Sequence, residues 1–282
     1  MKKKLSENKL KRIIREAVDE VIAYHGTGAD FDKFNLSKAG TGAGSAAFGY
    51  GVYVTSDQTT AKDYARIAQA SVLLYRDRIV YSSKYDDYAP ENFHNPFRLI
   101  FDLFDTFRAF NKAKAQARRL YDLCEYDNKE MESLWGEVLR ILDTSMATDF
   151  KRGTQRIMVE VDIPEDDSSW IDWDEEVNKW ELCYIAEALS GNQREAFEEF
   201  MDYFQLGWKD GRHPVYWKNV YDELSYILGG MDKASDFLSF VGYVGIRYSG
   251  GQIYKNDRKY VNYVVFNPDD VVIVDKQYLN RQ

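Results

Sequence analysis

Apolar residues recur every three or four positions along some stretches of this chain and every second position along others, and the two periods separate helices from strands. Leu10, Ile13, Ile14, Ala17, Val18 and Val21 fall at helical spacing behind Ser6, a fair N-cap. They predict an amphipathic helix over residues 1–21. Residues 21–24 read as a strand that ends in the turn His25-Gly26-Thr27. A glycine-rich stretch, 40–51, leads into a second strand at 52–55, where β-branched and aromatic residues cluster. Residues 59–67 read as a helix with Ala61, Tyr64, Ala65 and Ala68 on one face.

From about 75 to 235 the pattern is mostly helical, with apolar three- and four-residue spacing at 97–123, 131–141, 180–189 and 196–204. One strand interrupts it: Ile157, Val159, Val161 and Ile163 alternate with Met158, Glu160 and Asp162 until Pro164 stops the run. The tail returns to strands at 243–246, 260–266 and 271–274, with turns expected at 248–251 and 267–270. Strands at both ends must pair across the helical middle. The expected class is therefore α+β: one domain, 22–282, with a nonlocal sheet core and a large helical insertion at about 75–235.

Composition narrows the chemistry. With 45% apolar and 15% aromatic residues the 282-residue chain has enough material for a sizeable core. A formal charge of −9 argues against a nonspecific nucleic-acid binder, which needs a basic surface. Two cysteines make no disulfide framework, and three histidines make a His-rich metal site improbable, so no metal is expected. Glu165-Asp166-Asp167 lacks the glycine of a calcium loop and reads as a solvated turn. Charges break every apolar run near the start, and no stretch is long enough to span a membrane. A cytoplasmic protein is expected.

Three segments carry candidate chemistry: Tyr24-His25-Gly26-Thr27, the run Phe48-Gly49-Tyr50-Gly51-Val52-Tyr53-Val54, and Ala61-Lys62-Asp63-Tyr64-Ala65. Alone, each has an ordinary structural explanation. In this order and spacing they resemble the ADP-ribosyltransferase superfamily, in its poly(ADP-ribose) polymerase and diphtheria-toxin-like branch. That branch has a His-Gly-Thr or His-Gly-Ser strand end, a Phe-Gly-x-Gly-(Ile/Val)-Tyr strand, then a helix with a tyrosine at the matching offset. The carboxyl end, from Gly242-Tyr243-Val244-Gly245-Ile246 to Asn262-Tyr263-Val264-Val265-Phe266-Asn267-Pro268, is similar to ADP-ribosyltransferase domains of phage and mobile-element polyvalent proteins. The resemblance covers roughly residues 20–70 and 235–275, and the helical middle has no counterpart in it.

The resemblance implies a split antiparallel β-sheet core and a mono-ADP-ribosyltransferase that uses NAD+ as substrate, modifies a protein acceptor and releases nicotinamide. His25, Tyr53 and Asn262 would be catalytic. His25, Gly26, Thr27, Tyr53 and Tyr64 would bind NAD+: Gly26 offers its backbone to the carboxamide, His25 meets the adenine ribose with Thr27 nearby, and Tyr53 and Tyr64 sandwich the nicotinamide. A flat cationic ring suits two aromatic faces. Two positions depart from the family. Asn262 stands where a glutamate is common, so it can hydrogen-bond a ribose hydroxyl but brings neither charge nor a base. Ala61 stands where some relatives use a serine. The alternative is a catalytically silent NAD-binding or protein-interaction module of the same fold. A Rossmann site at Gly42-Ala43-Gly44-Ser45-Ala46-Ala47 is disfavoured, because no strand precedes the motif and no helix follows it.

Overall fold

The structure is a computed structural model that describes residues 21–38, 46–84, 94–124, 129–209, 214–250 and 260–279. The helix expected over 1–21 lies outside them except for Val21, which opens a strand, and so does most of the 42–47 glycine motif. In chain order the elements are β1 (Val21–Thr27), β2 (Val52–Thr55), α1 (Gln58–Ile67), β3 (Ala70–Tyr75), β4 (Arg78–Ser82), α2 (Pro96–Phe107), α3 (Phe110–Cys124), α4 (Lys129–Asp143), β5 (Phe150–Gln155), β6 (Ile157–Ile163) and β7 (Trp170–Asp172). They continue with α5 (Lys179–Ala188), α6 (Gly191–Lys209), α7 (Trp217–Leu228), α8 (Met231–Phe240), β8 (Gly245–Ser249), β9 (Val261–Val265) and β10 (Val272–Tyr278). The class is α+β.

The chain divides into two compact units. The first comprises Met1–Gly26, Phe31–Ala68 and Met158–Gln277, and the second Thr27–Asp30, Gln69–Ile157 and Tyr278–Gln282. The stretch from about 75 to 235, read as mostly helical with one strand at 157–163, contains three further strands, β4, β5 and β7.

In the first unit a seven-stranded sheet runs β10-β6-β1-β2-β9-β8-β7. It is mixed: β7 lies parallel to β8, whereas β1–β2, β2–β9 and β8–β9 are antiparallel. The helices α5 to α8 pack side by side, and their apolar residues join Ile246, Tyr248 and Val264 of the sheet, and Phe266 just after β9, in one core. Phe197, Leu224 and Leu238 are completely buried there, each contributing about 1.5–3 kcal/mol through removal of apolar surface from water. In the second unit β4-β3-β5 form a small sheet, and α2, α3 and α4 bury Ile100, Leu103, Val138 and Leu142 in a separate core with Leu73 and Tyr81.

Candidate functional site

Strand register builds the site. Tyr24 stands opposite Thr55, Thr55 opposite Asn262, and Asn262 opposite Tyr248. One row along, Tyr53 stands opposite Val264, and Val264 opposite Ile246. Directly opposed side chains share a face, and alternate residues of a strand share it too. Tyr53, Thr55, Asn262 and Tyr248 therefore lie on one face of the sheet, beside the core of α5–α8. Asn262 is only 6% exposed, and its amide lies near enough to the Tyr248 hydroxyl to act on that phenol.

Helix α1 brings Tyr64 to the same place. Asp57 starts the helix by accepting from the Thr60 backbone N–H at 2.9 Å and from the Thr60 hydroxyl at 2.7 Å. Ala61 and Ala65 are fully buried, and the helix rests against Gly26 at the end of β1. A Cβ on Gly26 would run into the Ala61 carbonyl oxygen and stand 2.5 Å from the Ala65 nitrogen. Gly26 is a glycine because a helix backbone occupies the space of its side chain.

The Tyr53 ring is fixed by the turn that precedes it. Its hydroxyl donates to the Gly49 carbonyl at 2.7 Å and accepts from the Phe48 N–H at 3.1 Å. The Phe48 ring stacks on Tyr248, with centroids 3.8 Å apart and planes 8° from parallel. Burial raises the Tyr53 hydroxyl well above the usual phenol range; the Phe48 N–H opposes this, and Tyr221 and Tyr64 add to it. Burial likewise raises Tyr248, helped by Tyr53, Tyr64 and Tyr260 and opposed by Asn262. Both phenols stay neutral near pH 7.

His25 joins the group differently from the sequence expectation. It alternates with Tyr24, so its ring projects to the other face of the sheet, where it makes edge contacts with Phe34 at 5.2 Å and Phe31 at 6.3 Å. Its link to Tyr53 is a 2.8 Å contact from Nδ1 to the Tyr53 carbonyl. A carbonyl only accepts, so Nδ1 carries the proton and Nε2 is left as an acceptor in the neutral ring. Burial lowers the imidazole below its usual value of 6.5, with the Tyr53 carbonyl acting in the opposite direction. Because the folded state disfavours the proton, the stability this group gives is fully present above pH 6.5. It declines as pH falls from there toward the lowered value. Urea titrations between pH 8 and 5 should show that loss, and His25→Gln should flatten it; an equal slope in the variant would remove His25 as its source.

Structure thus brings together Tyr53, Tyr64, Gly26 and Asn262, with His25 behind them through a backbone carbonyl. Thr27 falls in the second unit, where its hydroxyl accepts from the Ala29 N–H at 3.0 Å. Tyr248 was expected in a turn; it is a buried strand residue. Phe48 was read only as a motif position, and its ring now covers one face of Tyr248. The alternation Ile246, Tyr248 beside the Asn262 strand was the available signal for Tyr248. It was outweighed by the turn-forming Ser249-Gly250-Gly251.

A shallow depression in the second unit, lined by Arg118, Tyr121, Leu139, Arg140 and Asp143, contains none of the sequence-predicted residues. Among the described residues, no group of three or more His, Cys, Asp or Glu gathers to hold a metal, and no helix is long and apolar enough to cross a membrane. Comparison with protein-family models, curated proteins and solved structures found no match.

Proposed function

We propose that this face of the sheet binds the nicotinamide end of NAD+ and that the protein is a mono-ADP-ribosyltransferase of ADP-ribosyltransferase-like fold, acting on a protein acceptor. The observation that carries the reading is the meeting of Tyr53, Tyr64, Tyr248 and Asn262 at the end of β1, from strands and a helix that the sequence motifs single out. Neutral phenol rings hold a pyridinium by stacking and by attraction of its charge to their faces. Cleavage breaks the bond between ribose C1′ and the nicotinamide nitrogen, with the electron pair leaving on nicotinamide. An acceptor side chain forms the new bond to C1′ and loses its proton to solvent. The transition state is oxocarbenium-like, and Asn262 supports it by hydrogen bonding to a ribose hydroxyl.

A second reading, an NAD-binding or protein-interaction module without turnover, is favoured by one observation. The residue where the family uses glutamate is a buried amide beside Tyr248.

Incubation with labelled NAD+ and a protein lysate tests both readings. Wild type should transfer label and release nicotinamide. Tyr53→Ala should bind NAD+ about 5- to 30-fold more weakly, because it removes an aromatic face worth roughly 1–2 kcal/mol. Binding without nicotinamide release would select the second reading, and an absence of both would reject the site.

A further inference from the structure

Helix α7 lies in the part of the chain to which the family resemblance assigns nothing, and α8 straddles its edge, yet both grip the turn that fixes Tyr53. Tyr221 of α7 and Ser235 of α8 are each 1% exposed. The Tyr221 hydroxyl accepts from the Tyr50 backbone N–H at 2.9 Å, and the Ser235 hydroxyl donates to the Tyr50 carbonyl at 2.7 Å. The two hydroxyls are 2.8 Å apart, and that of Tyr221 also donates to the Met231 carbonyl at 2.9 Å. Both backbone groups of one residue are thus held by side chains 171 and 185 positions away.

The neighbouring residue is pinned as well. Gly49 has φ +111°, and a Cβ there would stand 2.7 Å from Ile246 Cδ1 and 3.2 Å from Tyr221 Cζ. The turn is therefore pressed onto the Tyr221 ring. Gly49 supplies the carbonyl, and Phe48 the N–H, that bind the Tyr53 hydroxyl. Phe48 also supplies the ring stacked on Tyr248. One clamp at Tyr50 accordingly governs two of the aromatic groups of the site at once.

We propose that Tyr221 and Ser235 are positioning residues for the NAD+ site, acting through the Phe48–Gly51 turn on Tyr53 and Phe48; the ligand part of this inference rests on the function proposed above. Buried backbone groups that lose a partner open readily, because nothing else is at hand to satisfy them. Tyr221→Phe removes the acceptor of the Tyr50 N–H together with the donor to the Met231 carbonyl, and Ser235→Ala removes the donor to the Tyr50 carbonyl, and neither empties much volume. Ser225→Ala serves as the control: that hydroxyl bonds the Tyr221 carbonyl within α7 at 2.8 Å and touches no part of the turn.

Amide hydrogen exchange and NAD+ binding calorimetry read the two halves separately. In Tyr221→Phe the Tyr50 amide should exchange at least tenfold faster, while amides in the middle of α7 and α8 keep the wild-type rate. NAD+ should bind about tenfold more weakly to each single variant. The double variant should be no more than slightly worse than the weaker single one, since both lesions release the same turn. Ser225→Ala should match wild type in both measurements. Unchanged exchange at Tyr50, or acceleration spread equally through α7 and α8, would overturn the clamp. So would faster exchange at Tyr50 with unaltered NAD+ affinity. A wild-type protein that fails to bind NAD+ while Tyr221→Phe still accelerates Tyr50 alone would sink the NAD+ reading and with it the ligand half of this inference, and the clamp on the turn would stand.

Discussion

Gly26→Ala should lower stability by about 3 kcal/mol, at the upper end of what overpacking a well-packed site produces, because the new methyl meets backbone and not a side chain that can rotate away. The Ala61 carbonyl and the Ala65 nitrogen belong to one rigid helix, so relief requires α1 to move as a body. Tyr64 moves with it, and NAD+ binding should fall in the same variant. A shift of about 6–12 °C in the thermal midpoint is expected for a domain of this size. Gly136→Ala is the counterpart, since that glycine lies inside α4 with only Tyr121 near, at 3.4 Å. It should be neutral or stabilising by up to about 1 kcal/mol through helix propensity. Equal midpoints for Gly26→Ala and wild type would mean that α1 does not rest on β1.

The second large effect concerns Asn262. Asn262→Glu should raise the rate of nicotinamide release by on the order of 10²-fold, the size of effect seen when a single group aimed at developing charge is added or removed. The position is buried beside a phenol held neutral, so a carboxylate there has the Tyr248 hydroxyl as donor and little water to weaken its field. The added methylene strains the row, and a modest loss of stability should accompany the gain. Asn262→Asp keeps the size of the side chain and separates the effect of charge from that of length. Release rates that match wild type in both variants would show that this strand does not carry the third residue of the site.

Much of the sheet was legible because its strands alternate. β6 occupies Ile157–Ile163, where the period-two pattern put it, and α1 begins within one residue of the expected start. The hairpin of β3 and β4 was not legible for a specific reason. Its turn is Arg76-Asp77, with φ of +51° and +64°, a conformation usually announced by Asn-Gly or Gly and here adopted without them. Similarly, one apolar pattern from 97 to 123 gave one helix where the structure has two, because the break falls at Arg108, a left-handed residue with no glycine to mark it. In the site, Tyr53, Tyr64, Gly26 and Asn262 could be read from motif spacing. The side on which His25 falls could not, since it depends on the register Tyr24 makes with Thr55. Tyr221 and Ser235 were beyond reach for another reason. Their partner is a backbone, which leaves no trace in residue identity.

The strand order has a consequence for biosynthesis. β2 lies between β1 and β9, so one of its long edges is completed only after more than two hundred further residues have left the ribosome. Until then the Val52–Thr55 backbone is an open template of the kind that recruits stray strands, and pairings across such long separations form slowly. The row of Tyr53, Thr55 and Asn262 is therefore a late product of folding, and a chain stalled before β9 has Tyr53 in hand but no floor on which to set it.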